Sequence, residues 1–367
     1  MLRFLTAGES HGPCLTAIIE GLPSGLPVDL DAINQFLYRR RQGIGRGKRM
    51  QIEADTVEIL SGVRFGYTLG SPVTLAIHNR DWENWQERMA VTGQFDCTAV
   101  TAPRPGHADL AGVLKYGSED IRDILERASA RETAARTAVG ALLSQLLAQC
   151  GIIIMSTVSE IGGVTVSTEQ PEDDPNIRTV VEAAQRRGDT LGGIFAVKAV
   201  GAPPGLGSHV HWDRRLDGRL AGALMSIPAI KGVEIGAGFG YSGIPGSMAH
   251  DEIFYSSAKG YYRTSNRAGG LEGGMTNGAD IWVRAVMKPI PTLMSPLASV
   301  DIISHEAITA NTERSDVCAV QAAAVVGEAV TAIVLAEVLL EKFGGDHVND
   351  LLAAMKHYRQ RIAPEQI

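Results

Sequence analysis

The sequence predicts a mixed α+β fold with a helical layer between sheets. Long Ala/Val/Leu-rich helical patterns alternate with short, glycine-bounded runs of β-branched residues, so both element types contribute layers. Two of the helical patterns are apolar on nearly every face, as expected of helices covered on both sides. A strand-rich stretch followed by such a helix occurs in both halves, which suggests a pseudo-duplicated single domain over residues 1–367.

Taken in order, "CLTAIIEGL" (Cys14 to Leu22) reads as the first strand, β-branched and closed by glycine and proline. The first buried helix should start at "SARE", with Ser129 capping the free N–H groups and Glu132 reaching back, and run to about Gln149. "CGIIIMSTVSEIGGVTV" (Cys150 to Val166) is strand-like. The acidic, proline-bearing stretch from 167 to 189 reads as a surface excursion with a short helix. "GGIFAVKAV" and "ADIWVRAVM" are further strands. The second buried helix should be capped by Ser315 or Asp316 and end at Gly344 and Gly345.

With 367 residues, 45% apolar and 20% charged, the chain resembles an ordinary globular protein with a large core. Cys14, Cys97, Cys150 and Cys318 show no C-x-x-C spacing, which argues against a disulfide framework or zinc site and for a reducing cytoplasm. The N-terminus lacks an apolar run ending in small residues, so no secretory signal is expected. Glu328 and Glu337 interrupt the most apolar run, which makes membrane insertion unfavourable.

The stretch "RRRQGIGRGKRM" (Arg39 to Met50) packs Arg39, Arg40, Arg41, Arg46, Lys48 and Arg49 around glycines without a carboxylate. A small phosphorylated or carboxylated ligand would offset that charge; a solvated positive patch is the plain alternative. Nucleic acid fits poorly, because net charge is -7 and no aromatic residue lies in the stretch. "GESHG" sets Ser10 and His11 in a glycine-bounded turn, and "RPGHAD" sets Arg104, His107 and Asp109 after prolines. "ERASARE" and "NTERSD" bring Arg127, Arg131, Arg314, Ser129 and Ser315 to helix N-termini, which suit phosphate; surface ion pairing is the alternative there. "KPIPT" presents Lys288 and Thr292 beside rigid prolines, and "GGMTNG" is a permissive turn. "GFGYSG" is no dinucleotide fingerprint, since Pro245 and Gly246 break the helix that should follow. His209 and His211 lack a third metal ligand.

In their order and spacing, "GESHG", "RRRQGIGRGKRM", "RPGHADL", "ERASARET", "DTLGGI", "GLGS", "GGMTNG", "KPIPT" and "ERSD" closely resemble the chorismate synthases. The likeness runs from about residue 3 to 343 and is weakest from Trp85 to Val100 and in the acidic excursion. It implies a β-α-β sandwich, with helices between antiparallel sheets, and a homotetramer. It also implies conversion of 5-enolpyruvylshikimate 3-phosphate to chorismate and phosphate, dependent on reduced FMN although redox-neutral. NADPH or an external flavin reductase would supply the reduced flavin. By matching position, Ser10, Arg40, Arg46, Arg49, Arg104 and Arg131 would hold the substrate. His11 would protonate the leaving phosphate, while His107 and Asp316 resemble the groups beside flavin N1 and N5. Arg127, Ala128, Ser129, Ala229, Gly273 and Arg314, with the run Lys288, Pro289, Ile290, Pro291 and Thr292, would line FMN. Pro228 stands where many relatives carry Asn, so one side-chain amide contact to flavin would be lost. A phosphate-ester enzyme without flavin is the rival reading from these residues.

Overall fold

The computed structural model describes residues 1–47, 53–93, 98–313 and 316–363. Strands β1 (Arg3–Ala7), β2 (Cys14–Glu20), β3 (Val57–Ser61) and β4 (Val73–His78) form one antiparallel sheet in the order β1-β2-β4-β3. The two-residue period sets its inner face: Leu15 lies opposite Ile77, Ala17 opposite Leu75 and Ile19 opposite Val73, all buried. A second antiparallel sheet joins β5 (Ile153–Ile161), β6 (Val164–Thr165), β7 (Gly193–Val200), β8 (Ile230–Ile235) and β9 (Ile281–Met287) in the order β8-β9-β7-β5-β6. Phe195, Val197 and Ala199 face Ala285, Val283 and Ile281 across its buried side.

Between the sheets lie α1 (Leu30–Arg41), α4 (Thr133–Gln149), α6 (Leu216–Met225) and α7 (Val320–Phe343). Helices α2 (Asp109–Tyr116) and α3 (Arg122–Ala128) precede α4, α5 (Pro175–Arg186) fills the acidic excursion, and α8 (Val348–Ile362) follows α7. α4 packs on the first sheet and α7 on the second, and the two helices pack on each other. At their crossing a Cβ on Gly140 would sit 2.4 Å from Ala329 Cα, so only a bare backbone fits. The predicted helical layer between sheets is therefore observed, each all-round apolar helix covered on both sides. α7 is long and apolar enough to cross a membrane, but 89% of its most apolar window is buried inside the protein. Glu328 within it is 1% exposed and accepts from Arg39 at 2.6 and 2.9 Å and from Ser156 at 2.6 Å, so the charge is fully paired.

Local predictions fail where tertiary contacts compete. Ser129 caps a short 3₁₀ turn, Ala130–Glu132, by accepting from the Arg131 N–H, and α4 begins only at Thr133. Glu132 does not reach back; it binds the Thr6 hydroxyl at 3.0 Å and Arg136 at 2.9 Å, partners that the local sequence conceals. Asp316 is not the cap of α7. α7 starts at Val320 with Ala319 at its cap position, because the Asp316 carboxylate is engaged by Arg46 and the Gly47 N–H; Ser315 lies outside the described residues. Gly344 ends α7 at a φ of 64°, as expected. The strand predicted from Cys150 to Val166 is broken at Gly162 and Gly163, whose positive φ values turn β5 back into β6. β1, β3, β4 and β8 were not among the predicted strands; β1 is short and its side chains are at most half-buried.

Candidate active site

A cavity of about 480 Å³ opens where the turn after β1, the end of α1 and the segments preceding α2 and α4 meet the end of β9 and the start of α7. Ser10 and His11 enter it from the glycine-bounded turn. Gly8 permits that turn: its φ is 107° and a Cβ there would lie 2.4 Å from the Cys14 carbonyl oxygen. The turn is pinned to α3, since the Ser10 N–H donates to the Glu126 carbonyl at 3.0 Å and the His11 N–H to the Glu126 carboxylate at 2.8 Å. Ser129 Oγ donates to Ser10 Oγ at 3.2 Å, joining the two hydroxyls at the cavity.

Four arginines line the same space, and each is bonded to a carboxylate. Arg40, in the last turn of α1, donates to Thr133 Oγ1 at 3.0 Å, Asp55 at 3.3 Å and the Ala130 carbonyl at 2.9 Å. Arg131 bonds Asp55, reaches Asn79 at 2.9 Å and lies 3.5 Å from Glu53. Arg46 binds Asp316, whose other oxygen accepts from the Gly47 N–H at 2.6 Å. Burial lowers the Arg40 pKa to about 10, Arg131 and Arg46 adding to the effect while Asp55 opposes it, so the group stays charged at neutral pH. Asp55 itself holds a positive φ of 46°, an uncommon conformation for a residue with a side chain. The charge of the arginine-rich stretch is thus offset by Asp55 just after it and by Asp316 and Glu328, distant in sequence, and not only by a future ligand. A guanidinium has five N–H donors, so Arg40 keeps donor capacity for an anion beyond the bonds it already makes.

Arg104 donates to Asp109 at 2.8 and 3.1 Å and to Thr292 Oγ1 at 2.9 Å, and His107 Nδ1 bonds the same Asp109. Burial pushes the Asp109 carboxyl up, but the hydrogen bonds from His107 and Arg104 hold it well below the usual carboxylate range. Lys288 donates to the Gly106 carbonyl, and partial burial beside Lys231 lowers its pKa. One wall is apolar: Ile227, Pro228, Met287 and Pro291 face Ala322, Ala323 and Val326 of α7. An apolar wall together with cations and hydroxyls in one lining suits an aromatic ring carrying a phosphate, so the residues present fit FMN.

Of the site residues expected from sequence, Ser10, His11, Arg40, Arg46, Arg104, His107, Arg131 and Asp316 all line this one cavity. So do Ala128, Ser129, Ala229, Lys288, Ile290, Pro291 and Thr292. Arg127, Gly273 and Pro289 do not. Arg127 is exposed and donates to the Thr6 and Gly8 carbonyls, holding the His11 turn from behind. Gly273 is an exposed hairpin tip between Leu271–Glu272 and Met275–Thr276, and Pro289 points outward between lining neighbours. Arg49 and Arg314 lie outside the described residues. Sequence reading missed Asp55, Glu126, Thr133, Asn79 and Trp85. Glu126 sat inside a quoted motif, and Asp55 follows the arginine stretch closely, so an unexplained acid near crowded cations was the available signal.

The sequence profile of the family described as "Chorismate synthase" matches residues 2–340. Proteins named chorismate synthase from Pelobacter propionicus and Desulforudis audaxviator are 54% and 56% identical to this chain; each alignment covers 99% of it and, respectively, 99% and 98% of the relative. The Aquifex aeolicus protein of that name is 54% identical, covering 98% of both chains. A solved structure titled "Crystal Structure of Chorismate Synthase" superposes with a TM-score of 0.79 at 44% identity, covering 99% of this chain and 98% of that one.

Proposed function

Because the chain belongs to the chorismate synthase family and is thereby a phosphate lyase, we propose that it converts 5-enolpyruvylshikimate 3-phosphate to chorismate and phosphate by 1,4-elimination, with reduced FMN alongside. One observation carries the reading: His11, His107, Asp316 and the arginines 40, 46, 104 and 131, drawn from remote stretches, line one cavity with an apolar wall.

Breaking the C3–O bond builds charge on the departing phosphate. Arg40, Arg46 and Arg131, already fixed by carboxylates and backbone, meet that charge without reorganising, which water cannot do. His11 gives the leaving oxygen its proton. Reduced FMN, held by these residues, would supply reversible one-electron donation and an acceptor for the C6 hydrogen, a chemistry with no net redox change. Ile227, Pro228 and Met287, which line the cavity with Ala322, Ala323 and Val326 of α7, would hold the ring and shield it from water. His107, oriented by Asp109, handles the proton at flavin N1, and Asp316 the proton at N5 while still bonded to Arg46. Ser129, Lys288 and Thr292 bind the flavin's polar end, and Ser10 and Arg104 complete the substrate's contacts. The same reading makes the protein a cytoplasmic homotetramer, supplied with reduced flavin by NADPH or by an external reductase.

The test is an anaerobic assay with the enolpyruvyl substrate and dithionite-reduced FMN, following product absorbance. Turnover should require both flavin and reductant, and turnover in air without either sinks the proposal. His11→Ala and Asp316→Ala should each slow the reaction by about 10²–10⁴-fold with folding intact, and a wild-type rate in either removes that residue's role.

A further inference from the structure

Around His11 the side chains close a ring of contacts. Its Nδ1 lies 2.8 and 3.0 Å from the two carboxylate oxygens of Glu126, which is 3% exposed. Arg122 donates to the same carboxylate at 2.8 Å, and its guanidinium sits 4.8 Å from the centroid of the Trp85 ring. Trp85 returns to the start, stacking on the His11 imidazole with centroids 3.9 Å apart and planes inclined by 23°. The indole is anchored in turn, because its N–H donates to Asp81 at 3.2 Å just after the 3₁₀ turn Arg80–Asn84. Trp85 also opens the stretch where the family resemblance is weakest, and neither it nor Glu126 has a place in the mechanism above.

We propose that Glu126 and Trp85 are positioning residues for His11: the carboxylate accepts the hydrogen bond of Nδ1–H, so that in the imidazolium Nε2–H is the proton donor, and the indole fixes the plane of the ring. The idea rests on the phosphate-elimination reading. A carboxylate on Nδ1 selects one tautomer and stabilises the imidazolium. Burial raises the Glu126 carboxyl, yet hydrogen bonding and charge from His11, with Arg122 behind, hold it lowered and ionised. The ring's terminal torsion is intrinsically broad, so without a stacked partner the imidazole can swing while keeping one hydrogen bond. In the step itself the Nε2–H bond breaks and an O–H bond forms on phosphate as C3–O cleaves. Neutral imidazole remains, its Nδ1–H still on Glu126.

Two-bond ¹H–¹⁵N spectra of ¹⁵N-histidine-labelled protein, with His11 assigned by its loss in His11→Ala, read the tautomer directly. Wild-type neutral His11 should carry its proton on Nδ1, and Glu126→Ala should abolish that preference. Glu126→Ala should also lower kcat by about tenfold to a hundredfold, no more than His11→Ala does, with KM changed by less than about threefold. Trp85 is only half-buried, so its variants keep the idea exposed to failure should Glu126→Ala not fold: Trp85→Ala should lose about tenfold in kcat and Trp85→Phe should restore most of it. An unchanged His11 tautomer in Glu126→Ala, or wild-type kcat in Glu126→Ala or Trp85→Ala, overturns the proposal. Wild-type turnover in His11→Ala would instead remove His11 as the acid of the elimination, the role this proposal rests on, while the spectra still judge the pairing.

Discussion

Asp109 is wholly buried in the first turn of α2, where one carboxylate answers both Arg104 and His107. Its folded-state pKa is depressed, so the stability it contributes is present above about pH 4 and lost as pH falls through the folded value. Asp109→Asn leaves Arg104 buried with a weaker partner and should cost about 3 kcal/mol at neutral pH. Urea unfolding across a pH series should show that gap closing below about pH 4; a gap constant down to pH 2 would remove the linkage. The same variant should slow turnover, since His107 loses the group that orients it. Such pairings were legible only at short range. Arg104, His107 and Asp109 stand in one quoted motif, whereas Arg131 meets Asp55 across 76 positions and Arg46 meets Asp316 across 270. Residue pattern indicates that cations need partners; only the fold supplies which ones.

α4 and α7 were recognisable because apolar residues on every face leave no side for water. Their beginnings were not, since Glu132 and Asp316 have better partners in tertiary structure than in the caps the local sequence offers. Glycines within the helices mark the closest approaches: Gly140 meets Ala329 backbone, and a Cβ on Gly327 would come 2.7 Å from the Phe195 ring. Gly140→Ala gains up to about 1 kcal/mol in helix propensity but should lose about 1–3 kcal/mol to overpacking at the crossing. A net fall in melting temperature is expected. Unchanged or higher thermal stability would show that the helices slide apart at no cost. The stretch "GFGYSG" forms a 3₁₀ turn after β8, and a four-residue helix, Gly246–Ala249, follows with Pro245 at its cap position, so Pro245 and Gly246 start a helical turn where the sequence predicted a break.

At the scale of the whole molecule, the arginines sit inside an acidic protein and are mostly buried, so bulk salt reaches them weakly. Raising KCl from about 50 to 200 mM should increase KM for an anionic substrate by no more than about threefold. A surface basic loop binding nucleic acid would lose about 10³-fold or more over that range, and a slope that steep would relocate the binding surface. The layered architecture and most of the cavity lining were readable from motif strings, because glycine, proline and arginine clusters mark where backbone and charge converge. The supporting acids and Trp85 were not, being ordinary residues until folding brings them together. The contacts that complete the cavity span very long chain separations: 188 positions from Arg104 to Thr292 and 270 from Arg46 to Asp316. Closing loops of that size is entropically late. A chain emerging from the ribosome therefore has helices and a half-built vestibule long before it has a competent pocket, and in refolding, helical ellipticity should recover ahead of ligand capture.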